Sequence, residues 1–493
     1  MRKNLTPLAL ASFLALPTAH AAVELIAVGT ISGTYRDLST ETAAPLENGV
    51  AGNRLGGIGS AIAYAGGTTF LMLPDRGPNA VPFNSAIDDT ASWIDRFQTF
   101  DLALAPSDTG AALPYVLTPT LRATTLLSSS APLFYGTGVG LGVPSGRPAL
   151  NFEGHTNFFT GRSDNFDPSR PSTNPNNARL DPEGIRVSND GESVFITDEY
   201  GPYVYQFERA TGRRVRSFAL PASFAVPNQS PVGNTEISGN TVGRVANKGM
   251  EGLAITPDGR TLVGIMQSPL IQDGGTNGAT TRVVRIDIAS GAVRQYAYPL
   301  TNIGSASKPK FPTVSDMVAV NNHEFLVDER DGNGLGDDST AAFKRLYHID
   351  LNGAVEVSAV TGAADLATKA VAKTLFLDIV AELTAKGYSA KDIPAKLEGV
   401  AFGPDIVAGG VTRHTLYVSN DNDFLATVTD SNHPSGLDNS NHMFVFGVDA
   451  ADLPGLVVQR VAPFDLCGDD RRDDDDHDGH EGHDDHGQGG GYR

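Results

Sequence analysis

Carboxylates recur at one position of a repeated pattern in this sequence, at the start of an apolar run and in most copies just before a glycine. They are Glu183, Glu251, Asp316 and Glu398. Like charges that converge raise one another's pKa, and a hard cation bound between them relieves the repulsion. Carboxylates can also transfer protons to and from substrates. We therefore predict Glu183, Glu251 and Glu398 as catalytic residues.

A second group of oxygen donors ends the following strand of several copies. Together with the first group, it gives the predicted metal ligands Glu183, Glu251, Asp316, Glu398, Asp75, Asp328, Asn420 and Asp421. All are oxygen donors, without Cys or His, so Ca²⁺ is the expected ion. A second interpretation stays open. An acid at a strand start can simply accept backbone N–H bonds from a neighbouring repeat.

Basic residues accompany these acids, and we predict that they bind substrate. They are Arg76, Lys248, Arg330 and Lys396. Such side chains can hold phosphate or carboxylate oxygens around a metal. The alternative is charge balance through surface pairs, which contribute little to stability.

The acids are positioned by a repeat of short strands that Gly and Pro separate. The clearest copies are 181–199 and 251–267, two looser copies start at Asp316 and Glu398, and an early copy, 55–77, lacks the leading acid. Strands in this pattern, recurring in groups of four, predict an all-β fold, a β-propeller with five blades visible and six expected. Val23 to Ile31 would pair with a C-terminal hairpin, His442 to Val461, to close the ring.

Three segments stand apart from the repeat. Residues 1–21 have the charge, apolar stretch and small-residue site of a cleaved signal peptide, which predicts a periplasmic or secreted protein with its propeller domain over 22–468. Ala364 to Lys386 has helical spacing and predicts one inserted helix. Residues 469–493 form an Asp/His-rich tail that we expect to be disordered. Its histidines suit a transition metal such as Zn²⁺, Ni²⁺ or Cu²⁺, with mere solvation as the alternative.

Composition excludes several classes of function. A formal net charge of −20 argues against nucleic acid as a partner. After the signal peptide no segment has the roughly 20 apolar residues of a membrane span. We find no Gly-x-Ser-x-Gly elbow, phosphate-binding P-loop or dinucleotide fingerprint, so nucleophilic serine chemistry is unsupported. The sequence leaves the oligomeric state open.

The repeat motifs resemble a known family. The segments that carry the likeness are Leu55-Gly-Gly-Ile, Pro74-Asp-Arg-Gly77, Asp181-Pro-Glu-Gly184, Met250-Glu-Gly252, Asp328-Glu329 and Leu397-Glu-Gly399. From about residue 50 to 450 the chain resembles the phytase-like family called esterase-like activity of phytase. More distantly, it is similar to calcium-bearing six-bladed lactonases and phosphotriesterases, whose metal sits in the channel. Gly56-Gly57 stands where the other copies carry an acid.

The resemblance implies an exported β-propeller that hydrolyses esters or phosphoesters. With the residues above, it predicts a calcium-dependent hydrolase acting on a small-molecule ester or phosphoester. The alternative is a non-catalytic propeller that binds a ligand or protein partner and keeps calcium for structure. A third possibility is metal handling by the tail.

Overall fold

A computed structural model describes residues 23–80, 90–136, 152–153, 156–166, 172–408 and 410–464, and within these the chain is mainly strand. The described residues up to Pro463 belong to one compact unit. Our predictions for the leader, 1–21, and for the tail, 469–493, fall outside the described residues.

The strands follow in chain order. The first is β1 (Glu24–Ile31). Blade 1 contains β2 (Ala61–Tyr64), β3 (Thr69–Leu73), β4 (Arg96–Pro106) and β5 (Tyr115–Leu126). A small sheet follows, with β6 (Ser128–Ser129), β7 (Phe152–Glu153) and β8 (Thr156–Phe158). Blade 2 contains β9 (Pro182–Val187), β10 (Ser193–Asp198), β11 (Tyr203–Glu208) and β12 (Arg214–Ala219).

Blade 3 contains β13 (Met250–Ile255), β14 (Thr261–Met266), β15 (Thr280–Asp287) and β16 (Val293–Pro299). Blade 4 contains β17 (Thr313–Ala319), β18 (Glu324–Arg330), β19 (Lys344–Asp350) and β20 (Lys373–Asp378). The last strands are β21 (Lys396–Phe402), β22 (Ile406–Ala408), β23 (Val411–Asp421), β24 (Thr427–Val428), β25 (Leu437–Asp438) and β26 (Asn441–Asp449). Short α-helices span Gly233–Ser238 (α1), Ala363–Ala367 (α2) and Ile379–Ala385 (α3).

The first strand of each blade lines a central channel. β2, β9, β13, β17 and β21 neighbour one another in a closed ring, and the other strands of each blade continue outward. A separate buried apolar cluster fills each of the five interfaces between blades. Each fully buried large apolar side chain contributes about 1.5–3 kcal/mol, so these clusters hold the ring together. The fold is a five-bladed β-propeller.

The N-terminal strand closes the ring, but in the fifth blade. β1 pairs with β26, and the sheet continues through β23 to β21. The predicted pairing of Val23 to Ile31 with the chain from His442 is thus confirmed, but the predicted hairpin from His442 to Val461 is wrong, because the described chain after β26 forms no second strand. The described residues form five blades and no sixth, which corrects the six that we expected. One reason is that the strands within 101–150, which the repeat assigns to no blade, belong in part to blade 1, which β4 and β5 complete.

The predicted single helix over Ala364 to Lys386 is wrong. The segment forms α2, then β20, then α3. β20 pairs with β19 and supplies the outer strand of blade 4. The apolar residues have helical spacing, but part of the segment becomes a strand because it pairs with the open edge of β19 as the fourth strand of blade 4.

The acid-Gly motif makes a local irregularity in the inner strands. The register with the second strand shifts between Met250 and Gly252, and again between Leu397 and Gly399. The skipped residue in each case is the glutamate, Glu251 or Glu398. Such bulges redirect a side chain, which here separates the acid from the strand ladder.

The glycine of the motif lies against the next blade. A Cβ on Gly184 would approach the carbonyl oxygen of Glu251 to 2.8 Å, and one on Gly252 would approach the Cα of Asp316 to 2.7 Å. These separations are shorter than real side chains permit. The glycines are therefore needed for close contact between inner strands.

A C-terminal segment, 453–463, crosses the far end of the channel. Val457 N donates to Val320 O of blade 4, and Ala462 N donates to Asn189 O of blade 2, both at 2.8 Å. Gln459 donates to the carbonyl of Val187. We call this segment the strap. Among the described residues, no helix has the length and apolarity needed to span a membrane.

Candidate functional site at the open end of the channel

Inner strands begin, and second strands end, at the same end of the channel because paired strands are antiparallel. Charged residues from all five blades gather there, and we call them the channel cluster. Its members are Asp75, Arg76, Asp181, Glu183, Glu199, Lys248, Glu251, Arg330, Lys396, Glu398 and Asp421. The structure thus brings Glu183, Glu251 and Glu398 together with the four predicted bases.

Three acids of blade 2 form the tightest group in the cluster. One carboxylate oxygen from each of Asp181, Glu183 and Glu199 lies within 4.8 Å of the other two. Glu199 accepts from Gly249 N at 3.2 Å through Oε1, while its buried Oε2 accepts no hydrogen bond from any described residue. This buried triad could hold a metal ion.

The electrostatics of the triad favour a cation. Burial, followed by repulsion from Glu251 and Asp181, raises the pKa of Glu183 well above its ordinary value. Burial and the carboxylate of Asp181 raise the pKa of Glu199 in the same way. Without a cation, such carboxyl groups must keep protons.

Glu251 is held by an amide whose orientation is fixed. Lys248 Nζ donates to Gln267 Oε1 at 2.9 Å, and Gln267 Nε2 donates to Glu251 Oε1 at 2.8 Å. An ammonium group can only donate, so the oxygen of Gln267 must face Lys248 and its NH₂ must face Glu251. Glu251 Oε2 is buried and has no partner within the described residues. Burial, then the charge of Glu398, raises the pKa of Glu251 to about 8.

Blades 4 and 5 contribute paired charges. Arg330 donates to Glu398 Oε1 and, at 2.8 Å, to Ser315 Oγ. Lys396 donates to Asp421 at 2.7 Å and also to Asp423. Burial raises the pKa of Glu398 despite Arg330. Burial also opposes the shift of Asp421, whose pKa is lowered by Lys396 together with the backbone N–H of Asp423 and the charge of Arg330.

Blade 1 reaches the cluster through the end of its second strand. Arg76 binds Asp181 twice, from its backbone N at 3.1 Å and from Nη1 at 3.3 Å. Burial, then the charge of Asp421, raises the pKa of Asp75 well above its ordinary value. Gly57, where other copies carry an acid, packs against Phe424.

Asp316 lies at the predicted position of the repeat, but its carboxylate forms hydrogen bonds that connect neighbouring blades. Its carboxylate accepts from Arg186 Nη2 at 3.0 and 3.1 Å, from Leu253 N at 3.2 Å and from Val400 N at 2.9 Å. It thereby joins blades 2, 3 and 5 to blade 4, and all its bonds are within the protein. Asp316 therefore does not belong to the channel cluster.

Two further predicted ligands are also separate from the triad. Asp328 is fully buried, and neither carboxylate oxygen has a partner in the part of the chain that the structure describes. Asn420 is occupied by backbone, since its Nδ2 donates to Asp421 O and its Oδ1 accepts from His442 N. We leave both out of the site proposed below.

The predicted site did not include Asp181 or Gln267, and Glu199, which belongs to the acids at the ends of second strands, was not among the predicted ligands. All three residues lie in the repeat. Asp181 and Glu183 are two residues apart, and alternate residues of a strand share a face. Gln267 directly follows the second strand of blade 3, as Glu199 directly follows that of blade 2. Equivalence between repeats was the signal available for Gln267.

A pocket of about 570 Å³ borders the cluster. It is lined by Arg76, Lys396, Asp423, Phe424 and Asn247, among others. Arg76 and Lys396 therefore connect the pocket with the buried carboxylates. A substrate held in the pocket would lie beside two positive charges.

Comparison with known proteins identifies the family. Residues 53–424, most of the propeller, match the Phytase-like family, described as esterase-like activity of phytase. This chain belongs to the phytase-like family. A curated relative of this phytase-like protein, from Arthroderma benhamiae (strain ATCC MYA-4681 / CBS 112371), is named an uncharacterized secreted protein. It is 36% identical over 135 residues, which are 24% of this chain and 26% of the relative. The chain thus matches about a quarter of that relative's length.

Several solved structures are similar at low identity. A putative 6-phosphogluconolactonase from Bacteroides uniformis ATCC 8492 shares 11% identity, with 79% of this chain and 86% of that one covered and a TM-score of 0.26. A protein from Lactobacillus plantarum shares 12%, with coverage of 82% and 84% and a TM-score of 0.29. Kuenenia stuttgartiensis hydrazine synthase shares 11%, with 80% and 88% covered and a TM-score of 0.27. The blade assignment of the phytase-like protein rests on its own strand pairing.

Proposed function

We propose that this phytase-like protein is an exported, calcium-dependent hydrolase of ester or phosphoester substrates. The observation that carries the proposal is the buried triad Asp181, Glu183 and Glu199, together with a Glu251 whose Oε2 has no hydrogen-bond partner among the described residues. Its family name supports ester hydrolysis as the reaction class.

The donor set of the triad fits a hard cation. All its donors are carboxylate oxygens, and Glu199 Oε2 is buried without a protein partner among the described residues. Ca²⁺ accepts six to eight oxygens in flexible geometry, so water and substrate oxygens could complete its coordination. When bound, such a cation polarises an ester oxygen or lowers the pKa of water.

Glu251 is the residue best placed to move a proton. Gln267 occupies its Oε1, which leaves Oε2 to exchange a proton with a leaving-group oxygen or an attacking water. Glu183 belongs to the proposed ligand set. Glu398 is paired with Arg330. We assign to Glu398 the role of holding the guanidinium group of Arg330 near Glu251.

The basic residues of the channel cluster reduce its electrostatic repulsion of an anionic substrate. Arg76 and Lys396 line the pocket, where they can hold phosphate or carboxylate oxygens. The positive charges of Arg330 and Lys248 favour the ionised form of Glu251 and so oppose the rise of its pKa. This arrangement allows a negatively charged substrate to approach a site rich in carboxylates.

Asp316 favours a second candidate function. Its carboxylate accepts hydrogen bonds from backbone N–H groups of blades 3 and 5, which is the structural role that an acid at this position of the repeat could have. If Glu183 and Glu251 act likewise, the protein is a non-catalytic propeller that binds a ligand or partner and keeps calcium for structure.

Turnover of 4-nitrophenyl acetate and 4-nitrophenyl phosphate separates the two candidates. The proposal expects hydrolysis of at least one ester, loss of the rate in EDTA, and recovery on adding CaCl₂. Absence of turnover with both esters in protein saturated with calcium favours the binding function. Turnover that EDTA leaves unchanged contradicts the metal-dependent mechanism.

A further inference from the structure

A hairpin from Asn422 to Asn439 forms one wall of the pocket. At its base, Asn422 Nδ2 donates to Asn439 O at 2.8 Å, and Asn439 Nδ2 donates to Asn422 O at 3.1 Å. Phe424 and Leu425 of this hairpin line the pocket, and Phe424 packs edge-on against Trp93. The tip, 429–436, extends beyond β24 and β25.

The tip is fastened by a histidine between two carboxylates. His433 Nε2 lies 2.8 Å from Asp392 Oδ1, and its Nδ1 lies 3.0 Å from Asp430 Oδ1. The His433 side chain is 9% exposed. A neutral imidazole has one N–H, so both hydrogen bonds exist together only when His433 is an imidazolium.

We propose that His433 is a pH-sensitive latch that fastens the hairpin tip to the segment preceding β21 when it is charged and loosens it when neutral. The charged groups facing the tip come from three segments. Asp430 belongs to the hairpin, Asp392 precedes β21, and Asp338 follows β18 and accepts from Ser431 N at 3.0 Å. All three are acids, which favour the imidazolium.

The direction of the pH effect follows from these contacts. The bond to Asp392, and then the bond to Asp430, raises the pKa of His433 above its ordinary 6.5, against the opposing effect of burial. A raised pKa in the folded state means that the latch is closed below about 6.5 and is lost as the pH rises through the folded value. The tip is therefore held in place at low pH and released at high pH.

The latch bears on the site through the pocket wall. This consequence rests on the proposed function, because it takes the pocket as the substrate site. Freeing the tip should change the affinity for substrate through Phe424 and Leu425 and leave proton transfer by Glu251 unaffected. The latch itself requires no substrate, so it can be tested even if hydrolysis is never found.

Hydrogen exchange of the full-length protein tests the latch directly. Protection of the amides at 429–436, corrected for the intrinsic rate at each pH, is measured at about pH 5.5 and about pH 8.5. We expect wild-type protection to fall by roughly tenfold at the higher pH, since one charge-assisted hydrogen bond is lost. His433→Gln should be poorly protected at both pH values. His323→Gln, which removes a histidine paired with Asp350 on an exposed turn, should behave as wild type.

Two outcomes would overturn the latch. One is equal wild-type protection of 429–436 at both pH values. The other is an NMR titration of wild-type His433 that gives a pKa of 6.5 or below, a measurement that needs no variant to fold. If the latch is confirmed but neither ester is hydrolysed, the proposed function fails alone.

Discussion

At the scale of single residues, the decisive feature is a carboxyl group with one committed and one free oxygen. Gln267 holds Glu251 Oε1, and its own orientation is set by Lys248. The Oε2, which has no hydrogen-bond partner among the described residues, belongs to a cluster that contains six other buried acids. A proton on Glu251 therefore belongs on Oε2, where a substrate could receive it.

Glu251→Gln should abolish hydrolysis, with a rate loss of at least about 10²-fold, while the protein stays folded. The amide keeps the size of the side chain but can no longer transfer a proton. The kcat on an ester that the wild type hydrolyses is the measurement. Glu208→Gln, at the end of the third strand of blade 2 and away from the channel cluster, is the matched control and should keep full activity. Full activity of Glu251→Gln would make this residue structural.

Asp328→Asn should stabilise the protein at neutral pH by about 1 kcal/mol. Burial raises the pKa of Asp328 well above its ordinary 3.8, although Arg330 and Lys344 oppose the shift. Above pH 3.8 the unfolded carboxyl loses its proton while the folded one keeps it, so wild-type stability falls relative to the amide variant as the pH rises. Thermal unfolding at several pH values measures this difference.

Asp331 provides the contrast for that experiment. It is buried too, but it pairs with Lys344 Nζ at 3.1 Å. Asp331→Asn should destabilise by about 3 kcal/mol because it leaves a buried ammonium without its partner. A destabilising Asp328→Asn, with loss of calcium binding, would instead make Asp328 a metal ligand.

At the scale of elements, the acid-Gly pair has two functions in one motif. The bulge separates the acid from the ladder, and the glycine lets the next inner strand approach. The recurrence of this pair was visible in the sequence and correctly indicated where inner strands begin. The outer strands were harder to predict, since β20 has helical spacing and becomes a strand only because β19 offers an unpaired edge.

Gly252→Ala should destabilise the fold by about 1–3 kcal/mol. The new Cβ would meet backbone atoms of Asp316 and Met317 at 2.7–2.9 Å, and backbone cannot move aside as a flexible side chain can. Chemical denaturation measures the change. Gly332→Ala is the control, because no atom lies within 4 Å of its Cβ position. Equal stability of the two variants would show that the inner strands are not in close contact at Gly252.

At the scale of the whole molecule, the two ends of the channel differ. The strap crosses the end where the inner strands finish, and the channel cluster occupies the end where they start. A ligand of the cluster therefore enters from the side of the pocket. The ring itself is closed by pairing of the first and last strands, β1 and β26.

Ending the chain after Asp452 should lower the melting temperature, since it removes the hydrogen bonds of the strap to Val320, Val187 and Asn189. Ending it after Phe464 keeps the strap and should leave the melting temperature unchanged. Differential scanning calorimetry of the two truncated proteins makes the comparison. Identical melting of both would mean that the strap contributes nothing to the ring.

Much of this architecture could be predicted from the repeat, including the propeller, the inner strands and the gathering of Glu183, Glu251 and Glu398. The number of blades could not be predicted, because the strands within 101–150 lack the motif and could not be assigned to a blade. The different role of Asp316 could not be predicted either, because it depends on Arg186 and Val400 from two other blades. Such partners are distant in sequence and are decided only by packing.

The central claim is that Asp181, Glu183 and Glu199 hold a calcium ion, and thermal unfolding with and without metal tests it most directly. An ion bound only by the folded protein at 100 times its Kd stabilises by about 2.7 kcal/mol. The melting temperature of the wild type should therefore fall in EDTA and recover in CaCl₂, Glu183→Gln should not respond to calcium, and Glu208→Gln should respond as wild type does. The same melting temperature for the wild type in EDTA and in CaCl₂, with no metal in the purified protein, would contradict the account.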